Sequence, residues 1–349
     1  MVSRRQIPGP RQQGMSLVEI MVALALGAFI TVGIIQMFTA NRTTYDVNMG
    51  QARMQENARF AMEFLAAPIR MAGFTGCSSR AELFNAVNLD ADGQPYSEFD
   101  MSDPITGHAA TGPNSWTPPL SELPDDLDTA VIAPGTDVLI VKSVTGDGLR
   151  LAQDMPNSSA NIFTVIPDNP TDPGFDDGQV LMISDCSRAT VFMITETTVT
   201  TGGASFRITH NTGASVDIGN STQRLAPDDV GFRRDAAVYM LNTEYFFIAP
   251  GAGTNNRGDV PLSLWRKRGR SPAVELVEGV ESLEVFYGED TNNDRSPNRY
   301  RRIHEVTDRD RIVTARVTVR ATSVDEVVEQ GDGLLRRDFT KTIALRNRI

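Results

Sequence analysis

The sequence predicts an α+β protein: one long amino-terminal helix, followed by a globular domain built on antiparallel β-sheet. Three observations carry that expectation. An almost unbroken apolar run, Met15 to Phe38, follows a polar, basic segment. Apolar residues at steps of three and four continue the helical pattern to residue 67. From Asp137 onward, short β-branched and aromatic segments alternate with Gly, Asp, Asn and Pro.

The first element is the apolar run. Met15–Phe38 is long enough, at roughly 36 Å as a helix, to cross a bilayer. Residues 1–14 carry Arg4, Arg5 and Arg11 and no acid, so the amino end is expected on the cytoplasmic side and residues beyond Phe38 outside the inner membrane. Ala23 and Gly27 offer a small-xxx-small face where another helix can approach closely.

Glu19 breaks the pattern. A carboxylate inside an apolar helix costs on the order of 2.5–3.5 kcal/mol on insertion scales, so it calls for a partner. An ordinary secretory signal has a shorter apolar core, no internal acid and a small-x-small cleavage site. Here Gly14-Met15-Ser16-Leu17-Val18-Glu19 stands between a basic leader and a long apolar helix, which resembles the class III signal of type IV prepilins. The resemblance implies a leader of residues 1–14, removed by prepilin peptidase between Gly14 and Met15, with methylation of the new amino terminus. It also implies that Glu19 pairs with the amino terminus of a neighbouring subunit during filament assembly.

Residues 39–68 are read as the amphipathic half of the same helix. Tyr45, Met49, Ala52, Glu56, Phe60, Phe64 and Ala67 form one semi-apolar face, expected to pack on the domain. Pro68 is expected to mark or kink the helix end.

Residues 69–349 form the expected β-rich domain. Residues 78–136, rich in Pro, Gly and acids, are read as a long irregular excursion. Strands are expected at Val138–Val144, Ile162–Ile166, Val180–Ser184, Thr190–Ile194, Phe206–Thr209, Val238–Ile248, Val274–Leu276, Leu283–Tyr287, Ile312–Arg320 and Phe339–Leu345. Gln55-Glu56-Asn57-Ala58-Arg59-Phe60, Arg70 through Cys77, Ser184-Asp185-Cys186, Leu276 through Glu281 and Thr342 through Asn347 together resemble the PilW family of minor pilins. That resemblance implies a low-copy subunit that joins other minor pilins, and the major pilin, in a complex priming pilus assembly at the tip. A minor pseudopilin of a type II secretion system is the alternative, because it uses the same leader and helix.

Cys77 and Cys186 are the only cysteines; beyond a membrane segment, facing an oxidising compartment, they are expected to form one disulfide. No enzyme motif is present: no nucleophile elbow, phosphate-binding loop or dinucleotide fingerprint. His108, His210 and His304 are read as surface or loop residues rather than ligands. Trp265-Arg266-Lys267-Arg268-Gly269-Arg270 is the most basic stretch and could in principle hold phosphates. A net charge of −11 argues instead for a solvated strand end and against a nucleic-acid partner. Asp290, Asn292 and Asp294 have the alternate spacing of the first half of a calcium loop, with Ser296, Asn298, Glu289 and Asp308 as further oxygen donors. Arg295 occupies the place of the turn glycine and Arg301 that of the bidentate glutamate, and the same segment makes an Asn/Asp-rich hairpin turn without metal.

Overall fold

The computed structural model describes residues 14–76, 81–89, 96–124, 126–155, 161–165, 174–200, 205–212, 218–225 and 230–348. The leader residues 1–13 and Cys77 lie outside them.

Helix α1, Leu17–Met71, is 55 residues long, roughly 80 Å at 1.5 Å per residue. The sequence supports this length because no proline interrupts it before Pro68 and its apolar half is rich in Leu, Ala, Ile and Met. Pro68 does not end the helix as expected. The helix runs on to Met71, because a single lost N–H in the last turn is offset by burial of Ile69 and Ala72.

Among the described residues sixteen strands follow: β1 Glu82–Asn85, β2 Ile105–Gly112, β3 Ser115–Thr117, β4 Val138–Arg150, β5 Asn161–Thr164, β6 Val180–Ser184, β7 Arg188–Met193, β8 Glu196–Val199, β9 Phe206–Thr209, β10 Ala237–Pro250, β11 Leu262–Arg268, β12 Val274–Glu278, β13 Val280–Glu289, β14 Arg299–Arg301, β15 Ile312–Thr322 and β16 Arg336–Ala344. They form three sheets. The largest runs β1-β7-β6-β10-β4-β2-β3, with β11 on β10 and β12 on β11; the second runs β14-β13-β15-β16; the third runs β5-β9-β8. Among these strands the pairing is antiparallel except between β1 and β7.

Residues 78–136 are more regular than expected, since they hold β1, β2 and β3. Strand β2 reads Ile-Thr-Gly-His-Ala-Ala-Thr-Gly and has little intrinsic strand preference, yet Ile105–His108 pair with Val138–Val141 of β4. Tertiary pairing overrides propensity there. Gly107 is required by that approach: a Cβ on it would lie 2.1 Å from the Val138 carbonyl oxygen.

One core joins the last turns of α1 to the inner faces of the large and four-stranded sheets. Leu65 and Ile69 pack with Leu139, Phe246, Val317 and Ile343. A second core packs Leu181, Phe192 and Val238 of the large sheet with Ile162 and Ile208 of the three-stranded sheet.

Candidate functional site

At the start of α1, Gly14, Met15 and Ser16 are exposed, non-helical chain. The Ser16 N–H donates to Glu19 Oε2 at 3.4 Å, so the carboxylate folds back over the helix start. From Leu17 onward the apolar half is exposed along its whole length, and its most apolar window has a mean hydropathy of 2.4. Its Thr31 hydroxyl is satisfied by donating back to the Gly27 carbonyl at 2.8 Å.

The other half is built into the domain, but through a different face from the expected one. Tyr45, Met49, Phe60 and Phe64 are 63%, 40%, 43% and 39% exposed, and Ala52, Glu56 and Ala67 are exposed as well. The buried stripe is Gly50, Met54, Ala58, Ala61, Leu65 and Ile69, accompanied by Met62 and Ala66. Small residues dominate it because the helix lies directly on β15 and β16, and short side chains let the two backbones approach.

The end of the helix is sealed from far along the chain. The Arg346 N–H donates to the Arg70 carbonyl at 3.2 Å, and Asn347 Nδ2 donates to the carbonyls of Met71 and Ala72 at 3.3 Å each. These are carbonyls that a helix terminus leaves without an internal partner. Arg348 continues the clamp, donating to the carbonyls of Ser102 at 2.8 Å and Arg309 at 3.2 Å. Just beyond, Gly73 N–H bonds the carbonyl of Lys142, whose buried ammonium donates to the Asp100 carbonyl at 2.9 Å. Burial lowers the Lys142 pKa against the pull of Asp103 and Asp100.

The sequence did not signal the junction between the two larger sheets. Asp137, buried just before β4, accepts from the N–H groups of Ala110 at 2.9 Å and Val285 at 2.8 Å, and from the Arg302 guanidinium. Arg302 also pairs with Glu284 at 2.9 Å. Burial raises the Asp137 carboxyl above the usual range, against the opposing pull of Arg302. The available signal was an acid opening an otherwise apolar strand, Asp137-Val138-Leu139-Ile140-Val141.

The other candidate residues separate cleanly. In the basic stretch, Lys267 is buried and donates to Asp126 at 2.8 Å and to the carbonyls of Gly269 and Ser271. Arg266 and Arg268 both face Glu244, and Trp265 packs against the apolar cluster around Tyr245 and Phe247. These cations already have carboxylate partners. His304 is exposed in a short 3-10 turn as expected, but His108 and His210 are buried. His108 falls in the unforeseen strand β2, where its Nδ1 lies 2.9 Å from the Pro118 carbonyl and burial lowers its pKa. His210 is covered by the Phe192 ring, 5.3 Å away between centroids.

In the Asp290–Asn298 segment, the side-chain oxygens accept from the loop's own N–H groups. Asp290 Oδ1 takes Asn292 at 3.1 Å and Asn293 at 2.7 Å, and its Oδ2 takes Arg295 at 2.8 Å. Asp294 caps Ser296 N–H at 2.8 Å, and Asn298 caps Thr291 N–H at 2.6 Å. Asn293 and Arg295 adopt the left-handed conformation that such a turn needs. Burial acts to raise the Asp290 carboxyl, and the N–H groups of Arg295, Asn292 and Asn293 outweigh it, leaving it below the usual range. Glu289 is likewise held low by its Arg299 bond and bonded by Thr307. Among the described residues, no group of three or more His, Cys, Asp or Glu side chains converges as a metal set.

Cys186 lies in the turn between β6 and β7, with a left-handed φ of 73°; its expected partner Cys77 lies outside the described residues.

A helix exposed along its apolar half, with a β-domain seated on its other half, is the arrangement expected of a prepilin-type chain. Residues 9–35 match the prokaryotic N-terminal methylation motif, and residues 246–347 match the family of type IV pilus-assembly protein W. The chain thus joins an amino-terminal segment like that of N-methylated proteins to a carboxy-terminal part similar to the PilW family of type IV pilus-assembly proteins. The second match covers the four-stranded sheet and the Asn347 clamp. No curated protein and no solved structure matches the chain.

Proposed function

We propose that this chain is a low-copy minor pilin that joins other minor pilins in a complex priming pilus assembly at the tip, in contact with the major pilin. Before assembly the apolar half of α1 anchors it in the inner membrane, with the domain in the periplasm. Prepilin peptidase cuts between Gly14 and Met15 and the new amino end is methylated; the matched methylation motif supports both steps. Glu19 then pairs with the amino terminus of a neighbouring subunit. The role is structural and mechanical: lipid around the apolar helix is exchanged for protein neighbours.

The division of α1 is the observation that carries this reading. One half is seated in the domain and the other finds no cover among the described residues. Gly27 supports it, because among the described residues no atom outside its own helical turns lies within 4 Å of a Cβ placed there, while a small residue in a membrane helix suits a second helix. The type II pseudopilin alternative shares the leader and helix, and the match to a pilus-assembly family favours the pilus.

We assign Cys77 and Cys186 to one disulfide. In support, β1 begins beside the Cys186 turn, where Glu82 N–H donates to the Ser187 carbonyl at 2.9 Å, only five residues after Cys77. Non-reducing peptide mapping tests it, and two free thiols in natively prepared protein refute it. We assign Asp290, Asn292 and Asp294 to a turn rather than to calcium. A saturable heat on calcium titration that disappears in Asp290→Ala/Asp294→Ala reverses that assignment.

Intact mass of the membrane-extracted protein tests the whole reading. The expected chain starts at methylated Met15; retention of residues 1–14, or a cut near residue 40, overturns it. Glu19→Ala is expected to be processed and to accumulate in the membrane while assembly fails. Co-purification with other minor pilins tests the tip complex.

A further inference from the structure

We propose that Gly50 and the two loops gathered on it form a collar that sets the direction in which the free half of the stalk leaves the domain. Gly50 is the first buried residue of α1 counted from the membrane end. A methyl group placed on it would lie 3.2 Å from both γ-carbons of Val327 and 3.7 Å from Ser323 Cβ. Val327 therefore sits in the notch that the missing side chain leaves. Gly27 and Gly33, in the same helix, have no such neighbour within 4 Å. Helical glycine is unfavourable by roughly 1 kcal/mol relative to alanine, so a glycine under a close contact calls for a packing reason.

Val327 belongs to the connection between β15 and β16, and that connection is braced rather than loose. Asn256, in the connection between β10 and β11, receives the Glu326 N–H on its Oδ1 and donates from its Nδ2 to the Glu326 carbonyl, both at 3.0 Å. Asn256 N–H donates to Asp325 Oδ1 at 3.0 Å, and Arg257 pairs with Glu326 at 3.2 Å. The loop folds on itself through the N–H groups of Val327 and Val328, which share the Gly333 carbonyl at 2.9 and 3.2 Å. Arg53, one turn along the helix from Gly50, approaches Asp325 at 3.8 Å. The two loops are thus locked to each other and pressed onto the helix at one point.

Leverage makes that point matter. Leu17–Met49 is roughly 50 Å of helix. A tilt of about ten degrees at Gly50 would carry its far end sideways by roughly 9 Å, a whole helix-to-helix spacing. A filament built from helices packed side by side would not accept such a displacement. The assembly consequence rests on the pilin reading above; the aiming of the stalk does not.

The test uses the full chain in nanodiscs. Ketone-reactive nitroxides are placed by Leu26→p-acetylphenylalanine and Thr342→p-acetylphenylalanine, one on the free stalk and one on the exposed face of β16, and their separation is read by pulsed electron resonance. Gly50→Val is expected to shift the mean distance by several ångström, on the order of 6 Å for a ten-degree tilt over that arm. Val327→Ala in the same chain is expected to return it towards the parent value, a size-for-size rescue that general destabilisation would not give. Asn256→Ala, which unlocks the collar without touching the helix, is expected to broaden the distribution. It decides the matter if Gly50→Val fails to accumulate. An unchanged mean in Gly50→Val, or an unchanged width in Asn256→Ala, overturns the proposal. In cells, Gly50→Val should lose piliation and Gly50→Val/Val327→Ala should regain it; a distance shift with full piliation overturns the role in assembly. Retention of residues 1–14 would count against the pilin reading alone and leave the distance measurement standing.

Discussion

The two halves of α1 obey the same backbone rules and meet opposite surroundings. From Gly50 to Met71, small residues and Leu65 and Ile69 disappear against β15 and β16. From Leu17 to Met49, large apolar side chains such as Leu26, Phe29 and Phe38 stand free. The apolar half is the more hydrophobic of the two, yet it contributes nothing to the domain core. Hydrophobicity in this helix therefore marks what lies outside the chain, and smallness marks what lies inside it.

That contrast can be broken in several places. The largest effect is expected from Leu65→Ala, which removes a fully buried side chain at the centre of the main core. It should destabilise the domain by about 2–5 kcal/mol in chemical denaturation. Leu26→Ala, chemically the same change in the free half, should leave domain unfolding unmoved and reduce assembly instead. Equal losses of stability from the two would erase the distinction between the halves.

Asp137→Asn comes next. It leaves the half-buried Arg302, at the junction of the two sheets that together seat the helix, with Glu284 as its remaining carboxylate partner. It also turns an amide N–H₂ or a weaker acceptor towards the Ala110 and Val285 N–H groups. A loss of about 3 kcal/mol is expected, the range for stripping one partner from a buried pair. A change within 0.5 kcal/mol, the range of ordinary surface substitutions, would mean that the sheets hold together without this link. Asn347→Ala should cost about 1 kcal/mol, because two helix-end carbonyls lose their donor. Hydrogen exchange should quicken at Ile69–Met71 and remain unchanged at Val22–Phe38. The smallest stability effect is expected from Phe60→Ala/Phe64→Ala, within about 0.5 kcal/mol for exposed positions. A larger effect would show that this face, too, leans on the domain.

Those two phenylalanines also show where sequence reading stops. The amino-terminal methylation motif is legible because the order of its residues along the chain is itself the signal, and residues 9–35 match it. The apolar run is legible because a bilayer has a fixed thickness. Which face of residues 39–68 packs inward is not legible, since Tyr45, Met49, Phe60 and Phe64 outweigh Gly50, Ala58 and Ala61 in hydrophobicity and yet stand exposed. Close backbone contact favours the small residues instead. Strands with their own apolar content, such as Val180–Ser184 and Phe206–Thr209, appear where expected. Strand β2 and the weakly patterned β8 and β14 exist through their neighbours, and their own residues give little sign of it. Asp137, Arg302 and Asn256 act across long separations in the chain, which no local pattern encodes.

The Asn347 clamp carries a consequence for the order of events in biogenesis. Met71 and Asn347 are 276 positions apart in the chain. The stalk is among the first parts to be synthesised, and its apolar half can enter the bilayer while the ribosome is still working. Its far end keeps open carbonyls until residue 347 has been made and delivered. On the reading proposed above, the protein is until then a tethered anchor with an unfinished joint, and the joint closes only after residue 347 has been made.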